Sequence, residues 1–388
     1  MNWDLTGALG DLEASGLRRR LRVLEPAAEG RVVCAGRTLH NFASNDYLGL
    51  AGSAFLREAL AAAVQAWGAG AGASRLVTGT TRAHAELEAA LADFKGTEAA
   101  LSFASGHATA LGTLPALLGP GDTILLDKLS HACLVDAARL SGATMRVFPH
   151  NHLGKLERLL AGARGRVLIV TESVFSMDGD TAPLREIVEL KERHGAWLLV
   201  DEAHGVGVLG PQGRGLAAAA GLEGRIELQM GTLSKALGLS GGYLAAARPV
   251  IDLLVNRARS FIYSTAPPPA LAAAARQALA WTAGDEGDAA RAQLRANVDR
   301  LAAALEMASP PAAILPVILG AEQAALDAAE RLLEAGFLVP AIRYPTVARG
   351  AARLRVTLTA AHTPAEIDAL AAAVRASTPA PRAAVGDR

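Results

Sequence analysis

The sequence lacks the signals that would mark several large classes of protein. Its two cysteines, Cys34 and Cys133, make neither a disulfide framework nor a metal-ligand spacing, so no metal is expected. Basic and acidic residues balance at 38 each, leaving no electrostatic footprint for a nucleic acid or a membrane surface. No apolar run reaches membrane-spanning length, and the opening Met1, Asn2, Trp3, Asp4 has neither a basic n-region nor an apolar h-region. The expectation is a cytoplasmic protein. Aromatic residues are scarce, at 4%, and alanine is abundant, a compositional bias rather than low complexity. No internal repeat is visible. What remains is a chain of 388 residues, half of them apolar, longer than one core usually organises, so two globular domains are expected.

The most informative stretch is Gly231, Thr232, Leu233, Ser234, Lys235, Ala236, Leu237, Gly238, directly after the strand-like residues 226–230. Lys235 is a single cation among small and apolar residues, where burial penalises the ammonium form. Schiff-base formation with an aldehyde cofactor uses such a lysine; the alternative is a surface lysine on a loop. Upstream, the apolar run 196–200 reads as a buried parallel strand that delivers Asp201, Glu202, Ala203, His204 at its C-terminal end. A lysine for the aldehyde carbon and a carboxylate for the ring nitrogen are what pyridoxal 5′-phosphate (PLP) requires, which makes it the expected cofactor.

Along the chain, residues 4–24 read as an amphipathic helix carrying Arg18, Arg19, Arg20 and Arg22, and residues 31–42 as a hairpin. A turn-rich segment, 43–50, follows, and residues 68–75 form a glycine-rich loop suited to close approach. From about residue 82, strands alternate with helices, which predicts a mostly parallel sheet with helices on both faces. Strand-like runs fall at 98–103, 123–126, 146–148, 167–170 and 242–247. Ser105, Gly106 and His107 open one helix, offering an anion site, and Ser130 and His131 open another. The prolines at 267–269 start a helical region ending near Met307. A small α+β unit then follows, with strands at 314–319, 337–339 and 354–358, a helix at 322–334, and a last helix opened by the capping box Thr363 to Glu366. The expected organisation is an N-terminal segment 1–45, a large domain 46–275, a small domain 276–376 and a disordered tail 377–388, with the domain boundary near 270–285.

Three motifs are set aside. Gly205, Gly207 and Gly210 match G-x-G-x-x-G, but Pro211 follows and no helix opens to receive a pyrophosphate. His150 and His152 have no further ligand at metal spacing and read as solvated. His84 and Glu86 lack the downstream cysteines of a zinc deaminase.

Taken together, segments 44–50, 129–134, 175–180, 200–215, 262–266 and 352–362 resemble the α-oxoamine synthases, PLP enzymes of the aspartate-aminotransferase fold type. The resemblance implies an α/β large domain of that fold type with a smaller α+β C-terminal domain. It implies Lys235 as the Schiff-base lysine, Asp201 as partner of the pyridine nitrogen, His204 as partner of the phenolic oxygen and His131 as the residue stacked on the ring. Gly106, His107 and Thr232 would hold the phosphate, Ser176 would lie beside the cofactor, and Ser264 and Thr265 would reach the phosphate of a second subunit in a homodimer. Arg355, assisted by Asn45, would take the amino-acid carboxylate, a bidentate task; the alternative places Arg355 on the solvated face of a strand. Arg18 and Thr346 would meet the acyl thioester. Within the family the likeness is to the branch that condenses L-alanine with a pimeloyl thioester on the way to biotin. Glycine-using sister synthases, or a non-catalytic binding protein of the same fold, are the alternatives.

Overall fold

The computed structural model describes residues 3–15, 17–27 and 30–378. Met1 and Asn2 of the opening segment lie outside the described residues, as does the expected tail from residue 379 on. Residue 377 instead closes the last helix, Pro364–Ser377.

Among the described residues, fourteen strands form three sheets. β1 (Glu25–Pro26), β2 (Arg31–Cys34) and β3 (Arg37–Asn41) lead the chain. β2 and β3 are the expected hairpin, paired from Cys34 with Arg37 outward. Its two-residue turn, Ala35 and Gly36, takes positive φ at both positions, as a strand-matched tight turn requires. Next come β4 (Ala99–Phe103), β5 (Thr123–Asp127), β6 (Thr144–Phe148), β7 (Val167–Glu172), β8 (Trp197–Asp201), β9 (Leu228–Thr232) and β10 (Gly242–Ala246). They form one seven-stranded sheet ordered β4, β10, β9, β8, β7, β5, β6, parallel except for β10, which runs antiparallel to both neighbours. The last strands are β11 (Ile314–Gly320), β12 (Phe337–Leu338), β13 (Ala341–Ile342) and β14 (Ala352–Thr357). β11, β14 and β13 make an antiparallel sheet, while β12 pairs in parallel with β3 and so carries the N-terminal hairpin onto the C-terminal unit.

Apart from the edge strand β6, the large sheet is buried on both faces, which is why strands such as β7 and β8 read as short apolar runs. Along β8, Leu199 faces the core that contains Leu126 and Val170, and Leu198 and Val200 face the opposite core with Ile169. Each of these side chains is fully buried, contributing about 1.5–3 kcal/mol. A third core joins Phe42, Tyr47 and Leu48 to Leu237 and to Leu354 and Val356 of β14, so the turn-rich segment is the packing link between the large sheet and the C-terminal unit.

Two expectations change. The N-terminal helix spans Leu5–Ala14 rather than 4–24. It stops where the Ser15 hydroxyl donates to the Asp11 carbonyl (2.7 Å) and Leu17 and Arg18 fold back on the Leu12 carbonyl. None of its residues is buried, so no packing extends it beyond its intrinsic limit. The helical region after the prolines is two helices, Pro269–Ala283 and Asp285–Ala304, divided at Gly284.

Candidate active site

In this sheet the C-terminal ends of β5, β7, β8 and β9 open on one side, where open α/β sheets carry their ligands. β8 ends at Asp201 and β7 at Glu172, in register with one another. β9 ends at Thr232, three residues before Lys235. Gly231 is required because the Tyr243 ring covers it and a Cβ would strike that ring. Buried Leu233 and Ala236 pin the turn on either side of the lysine.

Lys235 Nζ lies 2.6 Å from His204 Nε2, and His204 Nδ1 lies 2.5 Å from the Tyr47 hydroxyl. Tyr47 Oη is 3.3 Å from Asn45 Oδ1, which also accepts from Arg355 Nη2 at 3.2 Å. One chain of hydrogen bonds thus runs from Lys235 through His204, Tyr47 and Asn45 to Arg355. Its donors and acceptors balance in one direction. A charged Lys235 donates to Nε2, His204 Nδ1–H donates to Tyr47, and Tyr47 donates to Asn45; a neutral Lys235 accepting from Nε2–H turns the Tyr47 proton to Nδ1 and leaves the Tyr47–Asn45 contact without one.

Burial sets the protonation states. It lowers the Lys235 pKa to about 8, against the opposing pull of Asp201 and Glu172. It pushes Asp201 up, with Lys235 acting the other way, and Glu172 well up, with the Asp201 charge adding to the effect. Burial, then the Lys235 charge, takes His204 well below its ordinary value, so its imidazole is neutral, and burial raises the Tyr47 phenol to about 12. Asp201 accepts from the Ala203 N–H at 2.9 Å through Oδ1; among the described residues no hydrogen bond is drawn to its other oxygen.

His131 is the N-cap of Ala132–Ser141, its Nδ1 accepting from Cys133 N–H (3.3 Å) and lying 3.0 Å from Cys133 Sγ. The cap and the exposed ring face coexist, so the two roles are compatible. Its own N–H donates to the buried Glu172 carboxylate. The helix Gly106–Leu117 starts with Ser105 capping the Ala108 N–H, leaving the Gly106 and His107 N–H groups without intrahelical acceptors. A Cβ on Gly106 would lie 3.7 Å from Thr232 Cβ, so Thr232 stands beside this helix start. The Thr232 hydroxyl, however, donates to the Gly241 carbonyl (2.8 Å) and so accepts from the exposed Ser234 hydroxyl 2.7 Å away, which places two linked hydroxyls beside this helix start.

Arg355 is 5% exposed, which removes the alternative of a solvated strand face. Its Nε donates to the Ser176 carbonyl (2.6 Å) and its Nη1 to Thr357 Oγ1 (3.0 Å). Ser176 thus serves through its backbone. Ser264 and Thr265 lie apart from this cluster: Thr265 bridges to Ser74, and Ser264 Oγ donates to the Thr265 carbonyl. Arg18 pairs with Glu13 at 3.1 Å, and Thr346 sits exposed in a turn, its N–H on the Arg343 carbonyl. No described hydrogen bond or ion pair brings Arg18 or Thr346 to the lysine. Arg75 of the glycine-rich loop is buried in a bidentate pair with Glu88 (3.0 and 3.1 Å).

Sequence reasoning missed Tyr47, Glu172 and Ser234 as members of the site. It also misread His150, which is not solvated: it bridges Asp127 (3.0 Å) and Asp180 (2.7 Å). The glycines of the G-x-G-x-x-G decoy serve the site's floor, since a Cβ at Gly205, or at Gly215 beyond the motif, would collide with the buried Glu202 carboxylate.

Residues 37–374 match the family model for aminotransferase class I and II. An 8-amino-7-oxononanoate synthase of Methylobacterium sp. (strain 4-46) is 52% identical, the match covering 94% of both chains. One from Herminiimonas arsenicoxydans is 47% identical, covering 96% of this chain and 98% of the relative. Among solved structures, a serine palmitoyltransferase with PLP has a TM-score of 0.91 at 32% identity, covering 96% of both chains. An 8-amino-7-oxononanoate synthase from Francisella tularensis has a TM-score of 0.75 at 28% identity, covering 87% of this chain and 97% of that one.

Proposed function

The chain belongs to the aminotransferase class I and II family, and from that premise we propose that it condenses L-alanine with a pimeloyl thioester. Carbon dioxide and free thiol leave, and 8-amino-7-oxononanoate is formed for biotin synthesis. The cofactor is PLP, and the residues fit it. It calls for an amine of lowered pKa, a buried carboxylate with an uncommitted oxygen, an open helix start and an exposed imidazole face, and Lys235, Asp201, Gly106 and His131 supply them. Lys235 would hold its aldehyde carbon, Asp201 its ring nitrogen, His131 its ring face, His204 its phenolic oxygen, and the N–H groups of Gly106 and His107 with Ser234 or Thr232 its phosphate. Bound there, PLP supplies the electron sink for the charge left at the substrate's α-carbon.

The protein's own groups do the rest. Arg355 takes the alanine carboxylate in its guanidinium fork, with Asn45 steering it. That grip holds the α-carbon within reach of Lys235, whose pKa of about 8 suits an amine that removes a proton and later returns one. Asp201, an anion when opposed by a ring cation, keeps that cation protonated. Arg18 and Thr346 would meet the acyl donor. A second copy of the chain would bring Ser264 and Thr265 to the phosphate, and the exposed Trp3, Leu5, Leu9 and Leu12 of the N-terminal segment are the apolar surface it would cover.

The observation that carries the reading is the hydrogen-bond chain joining the proton-transfer amine to the carboxylate-binding arginine through His204, Tyr47 and Asn45. A binding protein has no use for it. The test is kcat/KM for L-alanine with pimeloyl-CoA against glycine with acetyl-CoA and L-serine with palmitoyl-CoA, with product mass and carbon dioxide release recorded. The first pair should win. A preference for the serine and palmitoyl pair would move the enzyme to the activity named for its serine palmitoyltransferase neighbours.

A further inference from the structure

The charged cluster that the mechanism does not use lies at the ends of β5 and β6. His150 follows β6 by two residues. Its Nδ1 meets Asp127 Oδ1 at 3.0 Å, and its Nε2 meets Asp180 Oδ2 at 2.7 Å. Its ring stands edge-on to Phe175, centroids 4.3 Å apart. Burial alone would lower the imidazole pKa, but the bonds to Asp127 and Asp180 and their charges prevail and raise it to about 10. The group is therefore a cation with both N–H groups fixed.

Each aspartate belongs to a different part of the site. Asp127, 1% exposed, ends β5 and also accepts from Leu129 N–H (2.8 Å) and Asn151 N–H (2.9 Å), so it shapes the turn that leads to His131. Asp180 closes the loop of residues 174–181, which folds on itself through Phe175 N–H to the Asp180 carbonyl (3.0 Å) and a bridge between Val174 and Thr181. The far side of that loop faces β14. The Ser176 carbonyl takes Arg355 Nε (2.6 Å), and Asp178 and the Met177 carbonyl take Arg353 Nη1 (2.6 and 3.1 Å). The loop is a spacer with His150 on one side and the substrate-binding arginine on the other.

We infer that His150 is a positioning residue for the amino-acid carboxylate: gripped by Asp127 and Asp180, it fixes the loop whose Ser176 carbonyl aims the Arg355 guanidinium. The role rests on reading Arg355 as the carboxylate anchor. His150 touches neither the Lys235 cluster nor Arg355 directly, so its loss acts through the loop. Asp127 keeps its bonds to Leu129 and Asn151 when His150 is removed, so the turn before His131 is retained.

The test is calorimetric binding of L-alanine to the PLP-loaded protein without acyl donor, for wild type, His150→Leu, Asp180→Ala and Asp180→Asn. Asparagine still accepts from Nε2–H and should stay within threefold of wild type. His150→Leu and Asp180→Ala should weaken alanine tenfold or more, while KM for pimeloyl-CoA and the PLP content stay within twofold. Asp180→Ala truncates a side chain that is 44% exposed, so it decides the matter alone if His150→Leu yields no folded protein. Wild-type alanine affinity in Asp180→Ala would overturn the role of His150, and so would a loss of PLP in step with alanine. Failure of the wild type to bind L-alanine would instead overturn the reading of Arg355.

Discussion

Tyr47→Phe removes one oxygen from the middle of the chain between Lys235 and Arg355 and should reveal what that chain contributes. Tyr47 is 1% exposed and His204 5%, so water cannot replace the hydroxyl. His204 Nδ1 loses its partner at 2.5 Å, and Asn45 loses a donor. A buried imidazole nitrogen left unsatisfied costs about 1–3 kcal/mol. With an unfolding entropy of about 2.1 cal/mol/K per residue, a chain of this size has about 0.8 kcal/mol/K in all, so Tm should fall by about 1–4 °C.

The kinetic effect should be larger than that small shift suggests. His204 is held between Tyr47 and Lys235, and freeing one side lets the ring leave the line on which it meets the lysine. If the same interaction is missing in the transition state, kcat/KM for L-alanine should fall about fivefold to 150-fold, at about 1.4 kcal/mol per factor of ten. Thermal unfolding and steady-state assays with pimeloyl-CoA on the same preparations give both numbers. A variant within twofold in kcat/KM and within 1 °C in Tm would show that the hydroxyl is packing, not part of the site's wiring.

Other outcomes follow from the same geometry. PLP capture by the apoprotein needs the neutral Lys235 amine, so its rate should rise with pH through about 8 and level above it; a profile that only begins to rise near 10 would contradict the lowered lysine. Arg355→Lys loses the planar fork and the bonds to Ser176, Thr357 and Asn45, and should raise KM for L-alanine by about 10–100-fold while leaving KM for the thioester alone. Glu366 caps the last helix at Thr363 and pairs with Arg31 and His40 at 2.9 Å. Burial pushes its carboxyl up, but these partners together bring it to about 2, below the ordinary 4.5. Its folded value is depressed, so its contribution is present above about 4.5 and lost as pH falls toward 2. Glu366→Gln should cost about 2–3 kcal/mol at pH 7, somewhat less than the full shift implies because Arg31 is 44% exposed, and should flatten the Tm profile in that acid window; an unchanged profile would refute it.

What the sequence makes legible is what is local. β5, β7 and β8 each carry a short continuous apolar run, so they are readable without any partner. The box at Thr363 and Glu366 is readable because both bonds span three residues. β13, two residues long, carries no period to detect. Tyr47 escapes for another reason. Its partner His204 is 157 positions away, and nothing around residue 47 distinguishes a site tyrosine from a core one, which by packing it also is. His150 was misread because its carboxylates stand 23 and 30 positions away, and only the sheet order, with β5 between β6 and β7, brings them to one imidazole. The first helix was overdrawn because periodicity marks a face and not the presence of something to cover it.

The electrostatics also explain why a cationic ring should bind here at all. Glu172 and Asp201 end adjacent strands in register, both buried, and burial raises both. Lys235 is the nearby cation that lowers each, yet burial lowers Lys235 as well, so every one of these charges is held against its preference. Were PLP held as proposed, a protonated ring nitrogen near Asp201 would add the positive charge that the two carboxylates lack. Asp201 would then gain the partner that burial denies it. By linkage, the carboxylate and the ring proton would each strengthen the hold of the other, and the burial that holds these charges against their preference would keep the electron sink charged.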